Sequence, residues 1–306
     1  SGLPIAPLAQ TLSDASGCYS TFSQHSAGRK SHLDSLTEQI KVIEQYPIEK
    51  TCVHIIDREG DSIAHLREMS SQGFKWLIRA KEGHRIEHQG KTCKVAEAAE
   101  RVETQQVQPI AYKGNRHMLH VGETAIRITR AAKPKRNDDS GQRVAPQPGS
   151  AIEARLIVAV VKDDQDKTVA RWSLISNVPS EITTVEMTTW YYWRWTIECY
   201  FKLLKQAGHD IEAWLQTRPE AILRRLLISC MACVLTWRIQ RSEDEHHQKI
   251  RVFLTRLSGR QQKRGRLESA PALLAGLSIL LNTLQLLSEY SIDELNEIAT
   301  IALGTS

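Results

Sequence analysis

Between residues 36 and 80 the apolar pattern changes period three times, and few folds accept that order. Leu36, Ile40 and Ile43 in SLTEQIKVIEQY recur at helical spacing, and TCVHIID is a compact β-rich run that ends on Asp57. SIAHLREMSSQG returns to helical spacing through Ile63, Leu66 and Met69, with Gly73 as its stop, and FKWLIRAK is again a strand. With PIAPLAQTL as a short apolar strand ahead of them, these segments read as β-α-β-α-β, the order of a mixed sheet covered by helices. In such sheets a carboxylate at the C-terminal end of a central strand tends to face a ligand crevice, and Asp57 stands at that place.

From about residue 83 to 180 the order changes to short strands without clear helices: HRIEHQGKTC, VQPIAYKG, RHMLHVGETAIRITRA, AIEARLIVAVVKD and TVARWSLISN. KPKRNDDSGQRVAPQPGS, rich in Pro, Gly and charge, reads as a flexible loop between them. After ITTVEMTTW the chain is helical almost to its end, and SIDE near residue 291 has the form of a capping box. Four regions follow: a first core segment 1–82, a β-rich insertion 83–180, a second, helical core segment 181–245, and a C-terminal helical region 246–306.

The 306 residues are 41% hydrophobic, enough for a sizeable core, which excludes a disordered chain. No run of about 18 apolar residues and no basic-then-apolar leader is present, so a cytoplasmic protein with no membrane partner is expected. The net charge of +5 permits a polyanionic partner without demanding one, because acids and bases are interspersed. Six scattered cysteines show no disulfide framework, and Cys230 and Cys233 lie inside an apolar helix where core packing is expected.

YYWRWTIECYFKLLKQ, residues 191–206, reads as one helix. At about 100° per residue, Tyr191, Arg194, Glu198 and Lys205 fall within one stripe roughly 60° wide. Trp193, Ile197, Tyr200, Phe201 and Leu204 form the apolar face beside it. The stripe can be plain solvated decoration, since i,i+4 ion pairs are common on helices. It also has a chemical reading. Asp57 and Glu198 are hard-oxygen ligands of the kind a pair of Mg²⁺ ions requires, Arg194 can grip a phosphate bidentately, and Lys205 adds a point charge. In the turn IIDREGD, capping of the next helix is assigned to Asp61 and chemistry to Asp57. The remaining tryptophans (Trp76, Trp190, Trp193, Trp195, Trp214, Trp237) are expected in the core. His54 and His65 are expected to be satisfied by packing, and His246 and His247 to sit in a solvated turn.

The spacing Tyr191, Arg194, Glu198, Lys205 resembles the hallmark of the DDE transposases of the IS4 group, to which the Tn5 transposase belongs. Asp57, Arg58, Glu59, Gly60 and Asp61 match a second motif of that group. The resemblance covers most of the chain to about residue 240. It implies an RNase H-like core, a mixed sheet with flanking helices, interrupted by the β-rich insertion and followed by the helical region. It also implies cleavage and strand transfer at transposon ends, with Mg²⁺ (or Mn²⁺ in its place) held by Asp57 and Glu198, and phosphates positioned by Tyr191, Arg194 and Lys205. Trp172, in ARWSLISNVPSE, corresponds to a residue that stacks on a flipped base; ordinary half-buried strand packing is its other reading. The implied partners are terminal-repeat and target DNA and a second copy in a synaptic complex, in a bacterial cytoplasm at the nucleoid. The group's first catalytic Asp has no convincing counterpart here, Asp14 and Asp34 being poor substitutes, and its N-terminal DNA-recognition region is absent. The expectation is a truncated transposase, with a catalytically incomplete DNA-binding remnant as the alternative.

Overall fold

The computed structural model describes residues 2, 4–14, 17–21, 23–26, 32–133, 141–142, 144–206, 214–260 and 267–304. In chain order the strands are β1 (Thr11–Asp14), β2 (Gly17–Ser20), β3 (Ser23–Ser26), β4 (Val53–Ile56), β5 (Lys75–Arg79), β6 (Arg85–His88), β7 (Lys91–Lys94), β8 (Gln105–Tyr112), β9 (Asn115–Ile128), β10 (Ile152–Lys162) and β11 (Thr168–Ser176). The helices are α1 (His32–Glu44), α2 (Ile63–Ser71), α3 (Val95–Glu100), α4 (Thr184–Trp193), α5 (Thr196–Gln206), α6 (Pro219–Arg241), α7 (Glu245–Leu257), α8 (Ala270–Glu289) and α9 (Ile292–Leu303). Two compact units result: Ala27–Trp195, and Ser1–Ser26 together with Thr196–Ser306.

The first unit is built on an eight-stranded mixed sheet in the order β4-β5-β11-β10-β9-β6-β7, with β8 also paired to β9. β4 and β5 are parallel, and the other pairs are antiparallel. Period-two alternation sends neighbouring side chains of the central strands into two layers. Leu156, Val158, Ile78 and Ile175 pack with Ile40 of α1, Leu66 and Met69 of α2, and Ala98 of α3. Ile157, Leu77 and Leu174 pack on the other face with Met187 and Tyr191 of α4. The fold is therefore α/β, with a mixed sheet flanked by helices, consistent with an RNase H-like core.

Strands β9, β10 and β11, read from sequence as part of a β-rich insertion, are hydrogen-bonded into the same sheet as β4 and β5. That region also holds the helix α3, whose six residues are too few to show a helical period. Two-residue turns close its hairpins: Gln89–Gly90 between β6 and β7, and Lys113–Gly114 between β8 and β9, all four at positive φ as the twist of paired strands favours. Of the predicted loop at 133–150, residues 134–140 and 143 lie outside the described residues. At its base Ala132 pairs with Gln147, and the Arg67 guanidinium donates to the carbonyls of Arg130, Gly149 and Ser150.

In the second unit, β1, β2 and β3 form a small antiparallel sheet of their own. The strand expected over PIAPLAQTL begins only at Thr11, because Pro4 and Pro7 have no N–H to donate to a ladder. α5, α6 and α8 share a core of Leu203, Leu204, Cys233, Trp237, Ala270 and Leu274. Arg251 of α7 and Glu268 form a buried ion pair at 3.2 Å. The Ser291–Glu294 capping box opens α9 as its sequence predicts. α8 corrects one sequence expectation: its 20 residues are long and apolar enough, by length and composition alone, to cross a membrane. Ala270, Ala272, Leu273, Leu274 and Gly276 in its first turns are buried, whereas from Leu281 on it is exposed.

Gly276 is what lets α8 approach α7. A Cβ at this position would lie 1.9 Å from the Leu254 carbonyl oxygen, and a backbone atom cannot move aside as a side chain can. Gly276→Ala is expected to cost about 1–3 kcal/mol as an overpacking change, read as a lower midpoint of helical unfolding by circular dichroism. Gly83→Ala, where a Cβ meets nothing within 4 Å, serves as the control and should shift stability by less than about 0.5 kcal/mol.

Candidate functional site

Asp57 leaves the C-terminal end of β4 and is exposed. It caps the one-turn 3-10 helix Arg58–Gly60, with Oδ1 accepting the Glu59 N–H at 2.8 Å. Among the described residues Oδ2 receives no hydrogen bond, so half of the carboxylate is open to a ligand. The capping roles expected from sequence are thus reversed. The Asp61 side chain caps no helix N-terminus; its backbone N–H closes the 3-10 turn on the Arg58 carbonyl, and its carboxylate, 1% exposed, accepts the Lys81 N–H at 2.6 Å and the Arg130 guanidinium at 2.6 Å. His84 Nδ1 lies 2.9 Å from the same carboxylate. α2 starts instead behind Ser62, which makes no side-chain cap bond. The reason is local: an Asp side chain reaches the N–H two residues ahead most easily, and Asp57 is the residue so placed, while Asp61 meets a cation.

The single helix expected over 191–206 is two. α4 ends at Trp193, where Trp195 N–H bonds back to the Tyr192 carbonyl in a tightened last turn, and α5 begins at Thr196. Five aromatic residues between 190 and 195 have poor helix propensity, which makes this stretch the weak point. Tyr191 and Arg194 therefore end one helix, and Glu198 and Lys205 belong to the next. The break also changes the apolar face: Leu203 and Leu204 are buried, but Ile197 and Phe201 are about half exposed, and Trp195, expected in the core, is 58% exposed.

Tyr191 is 5% exposed, among Leu77, Ile157, Leu174 and Met187. The Arg194 guanidinium lies over its ring, 5.5 Å from the centroid. The Tyr191 hydroxyl and Arg194 Nε are both buried and find no partner among the described residues. Unpaired buried donors of this kind cost about 1–3 kcal/mol each unless a ligand satisfies them. Glu198 is exposed in the first turn of α5, where the helix dipole favours a carboxylate, and Lys205 is exposed in its last turn. Seven residues apart, they share one stripe of α5, turned away from Leu203 and Leu204.

Trp172, on β11, is half-buried and meets Tyr112 edge-on at 6.1 Å. His65 Nδ1 is paired with the Thr37 hydroxyl at 2.7 Å and His54 with Glu44 at 2.6 Å, as packing histidines. His246 and His247 open α7 rather than a turn, with their N–H groups on Asp244 Oδ1. The side chains of Asp14 and Asp34 lie outside the described residues. As to a metal, Asp57 has the chemistry of one hard-oxygen ligand, yet among the described residues no three His, Cys, Asp or Glu side chains gather to hold an ion.

Sequence reasoning missed Arg130, His84 and Lys81. None belongs to a motif, and only the burial of Asp61 reveals that they act together. Residues 9–235, well over half of the chain, match the transposase DDE domain family. The chain belongs to that family. A comparison with curated proteins finds no match. DDE transposase domains use divalent metal ions and act on DNA.

The cysteines offer a check on this geometry. Cys230 and Cys233 are buried in α6, where Cys230 Sγ is hydrogen-bonded to Tyr200 and to Gln10. Burial pushes both thiols up, Cys233 to about 12, so at pH 8 its thiolate fraction is about one in ten thousand. Cys199, between Glu198 and Tyr200, is exposed. In native protein at pH 8, Cys199 should be the first thiol to react with Ellman's reagent, mapped by mass spectrometry, with Cys230 and Cys233 reacting only on unfolding. Early reaction of Cys230 would mean that the α5–α6 packing is wrong.

Proposed function

We propose that this DDE transposase domain is of the IS4 type and acts at transposon ends by Mg²⁺-dependent cleavage and strand transfer. In this reading a water attacks the phosphodiester at the element's end and frees a 3′-hydroxyl. That hydroxyl attacks the opposite strand, displacing the flanking DNA and closing the end as a hairpin. A second water opens the hairpin, and the regenerated 3′-hydroxyl attacks a target phosphodiester, displacing its 3′-oxygen. Asp57 and Glu198 are the carboxylates that would hold Mg²⁺, or Mn²⁺ in its place. Such ions supply an activated water and neutralise charge on the phosphate. Tyr191, Arg194 and Lys205 hold phosphates and fix register without reading sequence. Trp172 stacks on a displaced base. The functional assembly is a homodimer in a synaptic complex on terminal repeats, at the bacterial nucleoid.

The observation that carries the reading is the Tyr191–Arg194 pair, whose buried hydroxyl and buried Nε find no partner among the described residues, within a family that acts on DNA. A second reading, DNA binding without cleavage, is favoured by the lack of three converging metal-ligand side chains among the described residues.

Binding to end DNA across a salt series separates these ideas. Each phosphate contact contributes about 0.9 to the slope of log K against log salt, so Arg194→Ala and Lys205→Ala should each lower it by about that amount. Slopes unchanged in both variants would remove these side chains from the DNA interface. Nicking of end DNA in Mg²⁺ that is lost in Glu198→Ala and in Asp57→Ala, with binding retained, is expected of the enzyme. Binding with no nicking under any metal supports the second reading.

A further inference from the structure

The two aspartates of the DREGD turn differ sharply in setting. Asp57 is exposed with an open oxygen, and Asp61 is 1% exposed inside an ion cluster. Arg130 and the Lys81 N–H hold its two oxygens at 2.6 Å each, His84 lies 2.9 Å away, and Lys81 Nζ donates to its carbonyl at 3.2 Å. Buried ion pairs are often no more stabilising than apolar residues of similar volume, so stability alone does not explain such a cluster. It does fix a position.

The position it fixes is that of the turn. Gly60 N–H bonds to the Asp57 carbonyl at 3.2 Å, and Glu59 N–H to the Asp57 side chain at 2.8 Å. Gly60 presses on Ile56 so closely that a Cβ there would lie 2.6 Å from Ile56 Cγ2. One end of this stiff turn is held to β5 by the parallel pairing of Ile56 with Ile78. The other end is held by Asp61 to Lys81, two residues beyond the end of β5. Asp57 thus hangs between one anchor on β5 and another just past its end, and Arg130 adds a third from beyond β9.

We propose that Asp61 is a positioning residue: its cluster with Arg130, His84 and Lys81 aims the Asp57 carboxylate at a divalent metal ion. The proposal rests on the reading of Asp57 as a metal ligand. Residues that orient metal ligands typically contribute about 10- to 100-fold in metal affinity.

The test uses the full chain with Mn²⁺ as probe, titrated by electron paramagnetic resonance, together with hydrogen exchange at the Glu59 amide. Asp61→Asn should weaken Mn²⁺ binding about tenfold and speed Glu59 exchange. Arg130→Gln, a milder change, should do the same to a lesser degree, and Arg130→Lys should restore part of the loss. Combining Asp61→Asn with Asp57→Asn should be no worse than Asp57→Asn alone, since both act through one ligand. Glu268→Gln breaks the buried pair with Arg251 and should lower the melting temperature without moving either readout. If Asp57→Asn weakens Mn²⁺ binding while Asp61→Asn only lowers the melting temperature, Asp61 is structural and the proposal is wrong, with the proposed function intact. If Asp57→Asn leaves Mn²⁺ binding unchanged, the metal-ligand reading fails and takes the proposal with it. Unchanged Glu59 exchange in Asp61→Asn overturns the anchoring whatever the metal does.

Discussion

The burial of β10 on both faces is the constraint from which the first unit follows. Its run Leu156 to Val161 is almost wholly inaccessible to water, with alternate side chains entering opposite helical layers. A strand so placed cannot slip by one residue, because each side chain would change layers. Its pairings pass that register outward: Leu156 opposite Ile175, Ile175 opposite Ile78, and Ile56 beside Ile78. The location of Asp57, one residue past Ile56, is therefore set from β10, three strands away across the sheet.

Much of this order is written in the chain's apolar periods. β4, α2 and β5 lie close to where TCVHIID, SIAHLREMSSQG and FKWLIRAK place them, because each run is long enough to display one period and ends on a recognisable stop. Pairing partners are less accessible. Nothing in TVARWSLISN indicates that its strand lies beside FKWLIRAK, since strand order depends on contacts across about a hundred residues. The helix break at Arg194–Trp195 also escapes a periodicity argument: 100° steps fit the sequence on both sides, and the interruption arises from how the aromatic side chains are accommodated.

The candidate site shows the same division between what is local and what is not. Asp57 and its turn are visible as a short motif at a strand end. The Tyr, Arg, Glu and Lys spacing is equally visible, but it spans the end of one helix and the whole of another, so spacing alone overstates how rigidly the four are joined. The supports of the acidic turn are invisible because Arg130 lies 69 residues from Asp61 and follows a strand with no distinctive pattern. Spacing identifies groups that act on a ligand, whereas burial identifies groups that act on other groups.

Arg67 bears on the tolerance of the sheet to changes of chain length. By drawing the carbonyls on both sides of residues 133–146 onto one guanidinium, it closes that excursion at its base, beside the Ala132–Gln147 bridge. The length of chain beyond a closed base enters the free energy only logarithmically, at about 0.6 kcal/mol for each doubling. The sheet is thereby insulated from insertions and deletions at this point. A change of length between Ala132 and Gln147 is therefore expected to leave strand register nearly unaffected.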